Sequence, residues 1–227
     1  MPIRNISDIE AIEAVPLVER RLPESTYSAL SASAKRTPDA RALSFFPTVS
    51  RFDRPFVWTY AQLIEDVTRA ANFFHACGVT SESPVAFVLP NLPETHFTIW
   101  GGETAGVVLA INPALEARQI ARLLRAARAR VLVTLAPAPE ANLWAKISGE
   151  LSDLPDLRVV ALVDPAAYLG GAEAESAGGC EASAGGGSFA SAEPSVSDWS
   201  DGVAVICFLK NRNRAWPVGG PSTVWSY

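Results

Sequence analysis

The sequence has two histidines, one methionine and three cysteines. No stretch comes near the 18 or more consecutive apolar residues that a transmembrane helix needs, so no membrane-spanning helix is expected. The first ten residues, Met1 to Glu10, contain no apolar core of a secretory leader, and none is expected. Cys77, Cys180 and Cys207 are odd in number and far apart. They share no metal-ligand spacing, which suggests a reducing, cytoplasmic setting. Neither His75 nor His96 has a carboxylate or cysteine spaced to complete a metal site or a catalytic triad. The net charge of −5 argues against a nucleic-acid partner, which calls for a basic face.

What is present is the material of a soluble α/β protein. The 227 residues are 48% hydrophobic and 19% charged, enough for a sizeable core in one or two domains. Residues 1–25 read as a partly ordered lead-in. Tyr27 to Lys35 has the pattern of a short helix stopped by Thr37-Pro38-Asp39. Arg41 to Phe46 and Phe56 to Thr59 read as strands. Thr59 and Gln62 form a capping box, with Tyr60, Leu63, Ile64, Val67, Ala71 and Phe74 recurring at helical spacing. Gly78 is placed to end that helix in the left-handed conformation.

Four short apolar runs follow: 85–89, 107–111, 131–135 and 159–163. They are continuous rather than alternating, as in parallel strands buried on both faces. Helical patterns lie between them. Pro93 to Ala105 opens with the proline that suits a first turn. Glu116 to Ala127 carries Ile120, Leu123 and Leu124, and Ala141 to Leu151 carries Leu143, Trp144 and Ile147. The alternation predicts an α/β fold, a mostly parallel sheet flanked by helices.

The expected organisation is an α/β part over 1–164, a linker over 165–194, and a final strand with a tail over 195–227. The linker holds 20 Gly, Ala or Ser in 30 residues, too few apolar groups to offset its ordering entropy. Gly185 to Ser188 lacks the lysine and the preceding strand of a phosphate loop. Gly101, Gly102 and Gly106 do not follow a strand, which excludes a dinucleotide fingerprint. His75 suits a helix C-terminus, and His96 lies three residues into its helix from Pro93. Trp58, Trp100 and Trp144 read as packing residues.

Several stretches carry a family likeness through their order and spacing. Trp58-Thr-Tyr-Ala-Gln-Leu63 opens the capped helix, and Val88-Leu-Pro-Asn-Leu-Pro-Glu94 turns from strand to helix. Trp100 to Pro113 follows, containing a Gly106-to-Pro113 segment, then Leu115 to Arg125, Arg130 to Thr134 and Leu154-Pro-Asp-Leu-Arg158. Over about residues 26–165 this resembles the N-terminal subdomain of the adenylate-forming superfamily, most like an acyl-CoA synthetase of the fatty-acid type. The resemblance implies ATP-dependent chemistry. A carboxylate attacks the α-phosphate to give an acyl-adenylate and pyrophosphate, and the thiol of coenzyme A then displaces AMP. The cofactors implied for the parent family are ATP, Mg²⁺ and coenzyme A. In the family these stretches are mainly structural: Pro90 and Asn91 shape the turn, with Asn91 a candidate cap, and Gly106 allows a tight helix exit.

The same resemblance places a Thr/Ser/Gly-rich loop ending in Gly-x-Pro-Lys after an acidic lead-in and a strand. Such a loop supplies backbone donors to the transferring phosphoryl group. Asp198 to Phe208 matches the lead-in, and the loop is due near Leu209. Leu209 to Gly220 instead reads Leu-Lys-Asn-Arg-Asn-Arg-Ala-Trp-Pro-Val-Gly-Gly. No Asp or Glu occurs after Asp201, two of the six tryptophans fall in the last 12 residues, and Lys210, Arg212 and Arg214 crowd together. Those three charges read as a solvated end rather than a phosphate site. The expectation is an incomplete, truncated fragment of a ligase, inactive alone, with no catalytic, cofactor-binding or metal residue of its own and no cofactor. The alternative is a non-catalytic α/β module that associates with itself or with a complementary fragment through an exposed sheet edge. The expectation for the sudden change of character is a change of reading frame near residue 209. Reading the downstream nucleotides in the other two frames should then give a Thr-Gly-Gly-Thr-Thr-Gly-like loop, and its absence from both overturns the frameshift.

Overall fold

The computed structural model describes residues 3–20, 22–137, 143–165 and 168, together with the backbone of 204–207. The chain begins with helix α1 (Ile6–Glu13) and a 3-10 turn at Leu17–Glu19. The sequence reading of 1–25 did not anticipate this helix, although its signal is present. Asn5 Oδ1 accepts from the Asp8 N–H at 3.2 Å, while Asp8 accepts from the Asn5 N–H at 3.2 Å. This reciprocal cap satisfies amide donors that a helix start leaves orphaned. No residue of α1 is buried, so its caps rather than packing account for it.

Helix α2 (Thr26–Arg36) leads to strand β1 (Arg41–Phe45), which pairs antiparallel with β2 (Phe56–Thr59). This two-stranded ribbon stands apart from the main sheet. Helix α3 (Tyr60–Ala76) starts on the predicted box, with Thr59 Oγ1 accepting from the Gln62 N–H at 3.3 Å and Gln62 returning the bond at 3.1 Å. Gly78, at φ +81°, ends it. The Val79 N–H then reaches the Phe74 carbonyl at 3.0 Å and closes the terminus.

The main sheet contains β3 (Val85–Val88), β4 (Val108–Ala110), β5 (Val131–Leu135), β6 (Val159–Val163) and β7 (Ala204–Cys207). Their order is β4-β3-β5-β6-β7, and every pairing is parallel. Helix α4 (Pro93–Ala105) joins β3 to β4, α5 (Ala117–Ala126) joins β4 to β5, and α6 (Leu143–Ile147) with the 3-10 turn Ser148–Glu150 lies before β6. Of the helix expected over 141–151, the described residues form one short α segment that tightens into a 3-10 turn. The expectation that 107–111 is buried on both faces also fails. β4 is a three-residue strand at the edge, and Ala110 is exposed.

Strands β3, β5 and β6 are buried throughout and sort their side chains between two cores. Val85, Phe87, Val131 and Val133 face Leu63, Val67, Phe74 and Phe97 of α3 and α4. Ala86, Val88 and Leu132 face Ile120 and Leu124 of α5 and Ile147 of α6. This is the period-two division of a sheet covered on both sides. The α5 face turned to solvent carries Arg118, Arg122 and Arg125. Arg128, at φ 55°, plays at the end of α5 the part that Gly78 plays at the end of α3.

Two glycines of α4 set how close this layer comes. A Cβ on Gly101 would lie 2.7 Å from Ala70 Cβ and 3.0 Å from the Ala71 nitrogen of α3. A Cβ on Gly102 would lie 2.7 Å from Val85 Cγ1. Gly106 is needed for a different reason than a tight helix exit. Its φ of 170° is ordinary extended backbone, but a Cβ there would strike the Thr80 carbonyl at 2.5 Å. Gly101→Ala and Gly106→Ala should each cost about 1–3 kcal/mol through overpacking. Gly78→Ala, with its nearest neighbour at 3.4 Å, should cost ~1–2 kcal/mol through backbone strain. Gly149→Ala has nothing within 4 Å and should change little. Urea denaturation of the four variants checks this ranking.

Candidate functional site

Because the sheet is parallel, the carboxyl ends of β3, β5, β6 and β7 open along one edge. Strand β3 is flanked by β4 on one side and β5 on the other. The connections after β3 and β4 therefore leave in opposite directions, and α4 and α5 lie on opposite faces. Open α/β sheets bind ligands in the crevice at such a reversal point, beyond the strand ends.

The turn Pro90–Leu92 and the first turn of α4 occupy this position. Asn91 was the candidate cap, but it is exposed and the N-cap position falls on Leu92. The capping contacts come from Thr95 instead. Its hydroxyl accepts from the Leu92 N–H at 3.3 Å and donates to the Pro90 carbonyl at 2.6 Å, folding the turn onto the helix start. Leu92 has no polar side-chain atom, so one inward hydroxyl at the third helical position does the work of a cap.

Buried polar groups gather beside this turn. Asp66 of α3 is 6% exposed and accepts from Trp58 Nε1 at 3.0 Å and from Arg69 Nη1 at 3.3 Å. Arg69 also pairs with Glu65. Glu94, also 6% exposed, accepts through Oε1 from the Tyr168 hydroxyl at 2.5 Å. Its Oε2 is buried with no hydrogen-bond partner among the described residues. Burial pushes the Glu94 carboxyl above its ordinary range. The Tyr168 hydrogen bond opposes this, and the Asp66 charge adds to it. On the other face of the sheet, the Thr134 hydroxyl of β5 is likewise buried and without a partner among the described residues. Its strand neighbours Val88 and Leu162 belong to the core beneath α5 and α6.

Glu94 and Tyr168 were not singled out in the sequence. Yet Glu94 lies at the spacing of Phe97, Thr98, Gly101 and Gly102, the buried stripe of α4. A carboxylate on such a stripe is a readable signal. Tyr168 falls within the expected 165–194 linker but is only 8% exposed. The Phe45 and Phe56 rings of the ribbon meet it edge-on at 5.1 Å each. Apart from Pro165, the rest of that linker lies outside the described residues, as do Cys180, the lead-in 198–203 and the tail with Lys210, Arg212 and Arg214.

The remaining candidates behave as packing or surface groups. His75 is exposed in the last turn of α3. His96 stacks on Trp100 at 5.4 Å, and burial lowers its pKa, which favours the neutral ring. Cys77 is half-buried. Burial pushes its thiol up to about 11 against the opposing pull of Arg130, so it is no thiolate at neutral pH. Trp58 packs against Phe97 at 5.9 Å, and Trp144 packs on the core beneath α5. Of Cys207 only the backbone is described. Among the described residues no group of three or more His, Cys, Asp or Glu could hold a metal ion, and no helix is long and apolar enough to cross a membrane.

The sequence model of the AMP-binding enzyme family matches residues 30–208, and the chain belongs to that family. It is 37% identical over 144 residues to a marinolic acid–CoA ligase of Pseudoalteromonas sp. (strain SANK 73390), covering 63% of this chain and 22% of that protein. It is 32% identical over 119 residues to a long-chain-fatty-acid–CoA ligase of Bacillus subtilis (strain 168), covering 52% of this chain and 20% of that one. The chain thus matches about a fifth of the length of these curated relatives. Among solved structures, the anthranilate CoA ligase AuaEII with anthranoyl-AMP superposes at TM-score 0.51 and 21% identity, over 70% of this chain and 27% of that one. Coronafacic acid ligase from Pectobacterium brasiliense gives 0.52 at 12% identity, over 61% and 25%. These two likenesses show the fold. The resemblance to adenylate-forming acyl-CoA synthetases carried by the motifs holds.

Losing the indole donor should leave Asp66 short of a partner in a buried site. Trp58→Phe is expected to cost about 1–3 kcal/mol. In a double-mutant cycle with Asp66→Ala, a coupling of at least ~0.5 kcal/mol should appear in chemical denaturation, and a coupling of zero overturns the assignment.

Proposed function

We propose that the chain supplies the sheet and helix scaffold of an ATP-dependent ligase that joins a carboxylic acid of fatty-acid type to coenzyme A. The observation that carries this reading is the family match over residues 30–208, which ends where β7 reaches the ligand edge of the sheet. The likeness to a marinolic acid–CoA ligase and a long-chain-fatty-acid–CoA ligase supports the substrate class. Cysteines at unpaired spacings favour a reducing, cytoplasmic setting.

The described residues do not fit the family's cofactors. No cluster among them suits Mg²⁺, and Leu209 to Gly220 has neither a Thr-Thr-Gly nor a Gly-x-Pro-Lys to cradle ATP phosphates. No catalytic step is therefore assigned to these residues. On this reading residues 1–227 do not adenylate an acid by themselves, because Leu209 to Gly220 offers no phosphate loop. A complementary segment adding strands beyond β7 is the partner this reading calls for.

ATP–pyrophosphate exchange with a panel of fatty acids tests this, for the chain alone and with the product of the downstream gene. Exchange is expected only when both are present. Exchange by the chain alone overturns the claim of inactivity, and none in either case overturns the split-ligase role.

A further inference from the structure

The Glu94–Tyr168 contact joins three parts of the molecule that are distant in sequence. Glu94 stands in the first turn of α4, Tyr168 lies just beyond β6, and the Phe45 and Phe56 rings that clasp Tyr168 belong to the β1–β2 ribbon. Arg51, in the connection between β1 and β2, donates to the Tyr168 carbonyl at 3.4 Å. The Tyr168 N–H is itself held by the Pro165 carbonyl at 2.9 Å. In this closed arrangement Glu94 keeps one oxygen bonded and the other buried without a partner among the described residues.

We propose that Glu94 and Tyr168 form a proton-dependent latch, closed while the Glu94 carboxyl carries its proton and opened by ionisation, which frees Tyr168 from α4 and the ribbon.

An ionised carboxylate demands several donors, and among the described residues the closed site offers one, the Tyr168 hydroxyl. The groups around it do not make up the difference. Asp66, from α3, is a like charge already engaged with Trp58 and Arg69. Arg69 is directed to Asp66 and Glu65. Arg51, from the ribbon side, reaches the Tyr168 backbone, and His96 on the same helix stacks on Trp100. Water must therefore enter for Glu94 to ionise, and withdrawing Tyr168 admits it. On opening, the carboxyl O–H bond breaks, the electron pair stays on Glu94, and the proton passes to solvent.

The direction with pH follows from linkage. The carboxyl in the closed site lies above its ordinary value of about 4.5, mainly through burial, and the hydrated open state restores that value. The latch is fully closed below about 4.5. It loosens as pH rises through the window up to the raised value, then levels off.

Hydrogen exchange of the Tyr168 amide, corrected for intrinsic rate at each pH, tests this on the whole chain. In the wild type, protection should fall about tenfold per pH unit within the window, one proton being released per opening. Glu94→Gln keeps the acceptor for Tyr168 and has no proton to lose, so its protection should stay flat across the same range. Parallel slopes in wild type and variant overturn the latch. Should Glu94→Gln fail to fold, the infrared carbonyl band of a protonated carboxylic acid in the wild type decides. Its persistence above pH 4.5, with loss in step with Tyr168 protection, supports the latch. Its absence there overturns it.

Discussion

The close approach of α4 to α3 and to the sheet is the constraint on which the rest depends. Gly101 brings the backbone of α4 onto Ala70 and Ala71, and Gly102 brings it onto Val85. With these contacts made, Phe97 reaches Trp58, and the first turn of α4 comes down over the carboxyl end of β3. A side chain at either glycine would move the helix outward and with it Thr95 and Glu94. The geometry of the strand-end crevice is therefore fixed from within the core, two to three turns away from it.

That packing also explains why polar groups are buried where they are. Asp66 and Glu94 sit on the faces that α3 and α4 turn inward, so each must find partners or shed its charge. They solve the problem differently. Asp66 has an indole donor and an arginine, whereas Glu94 has one phenol and a raised affinity for its proton. Both carboxyls lie beside the strand ends where open α/β sheets bind ligands. The orphaned Thr134 hydroxyl marks the same edge from the other face of the sheet.

Wherever the fold is governed by local rules, it was legible in the residues. Continuous apolar runs gave the parallel strands, Thr59 with Gln62 gave the start of α3, Pro93 gave the start of α4, and Gly78 gave a left-handed end. What escaped depends on distant partners. The burial of Tyr168 needs Phe45 and Phe56, and its bond to Glu94 spans 74 residues. Gly106 was read as a conformational device and is a contact with Thr80, visible only once two loops meet. The cap was expected on Asn91 because local preference favours it, but packing of the turn brings Thr95 inward. α1 was missed for the opposite reason: a local capping signal was present, but no apolar face was needed to bury it.

The clasp on Tyr168 has a consequence for the order in which the chain takes shape. An isolated two-stranded ribbon is marginally stable at best, and this one completes its packing against a ring more than a hundred residues downstream. During vectorial synthesis the ribbon emerges early and waits through the making of α3, α4, β3, β5 and β6. Until residue 168 leaves the ribosome, Phe45 and Phe56 lack their partner and remain open to mispairing or to a chaperone. The Phe45 and Phe56 rings of the first strands made are thus among the last to complete their packing, although Trp58 of the same ribbon finds Asp66 and Phe97 earlier.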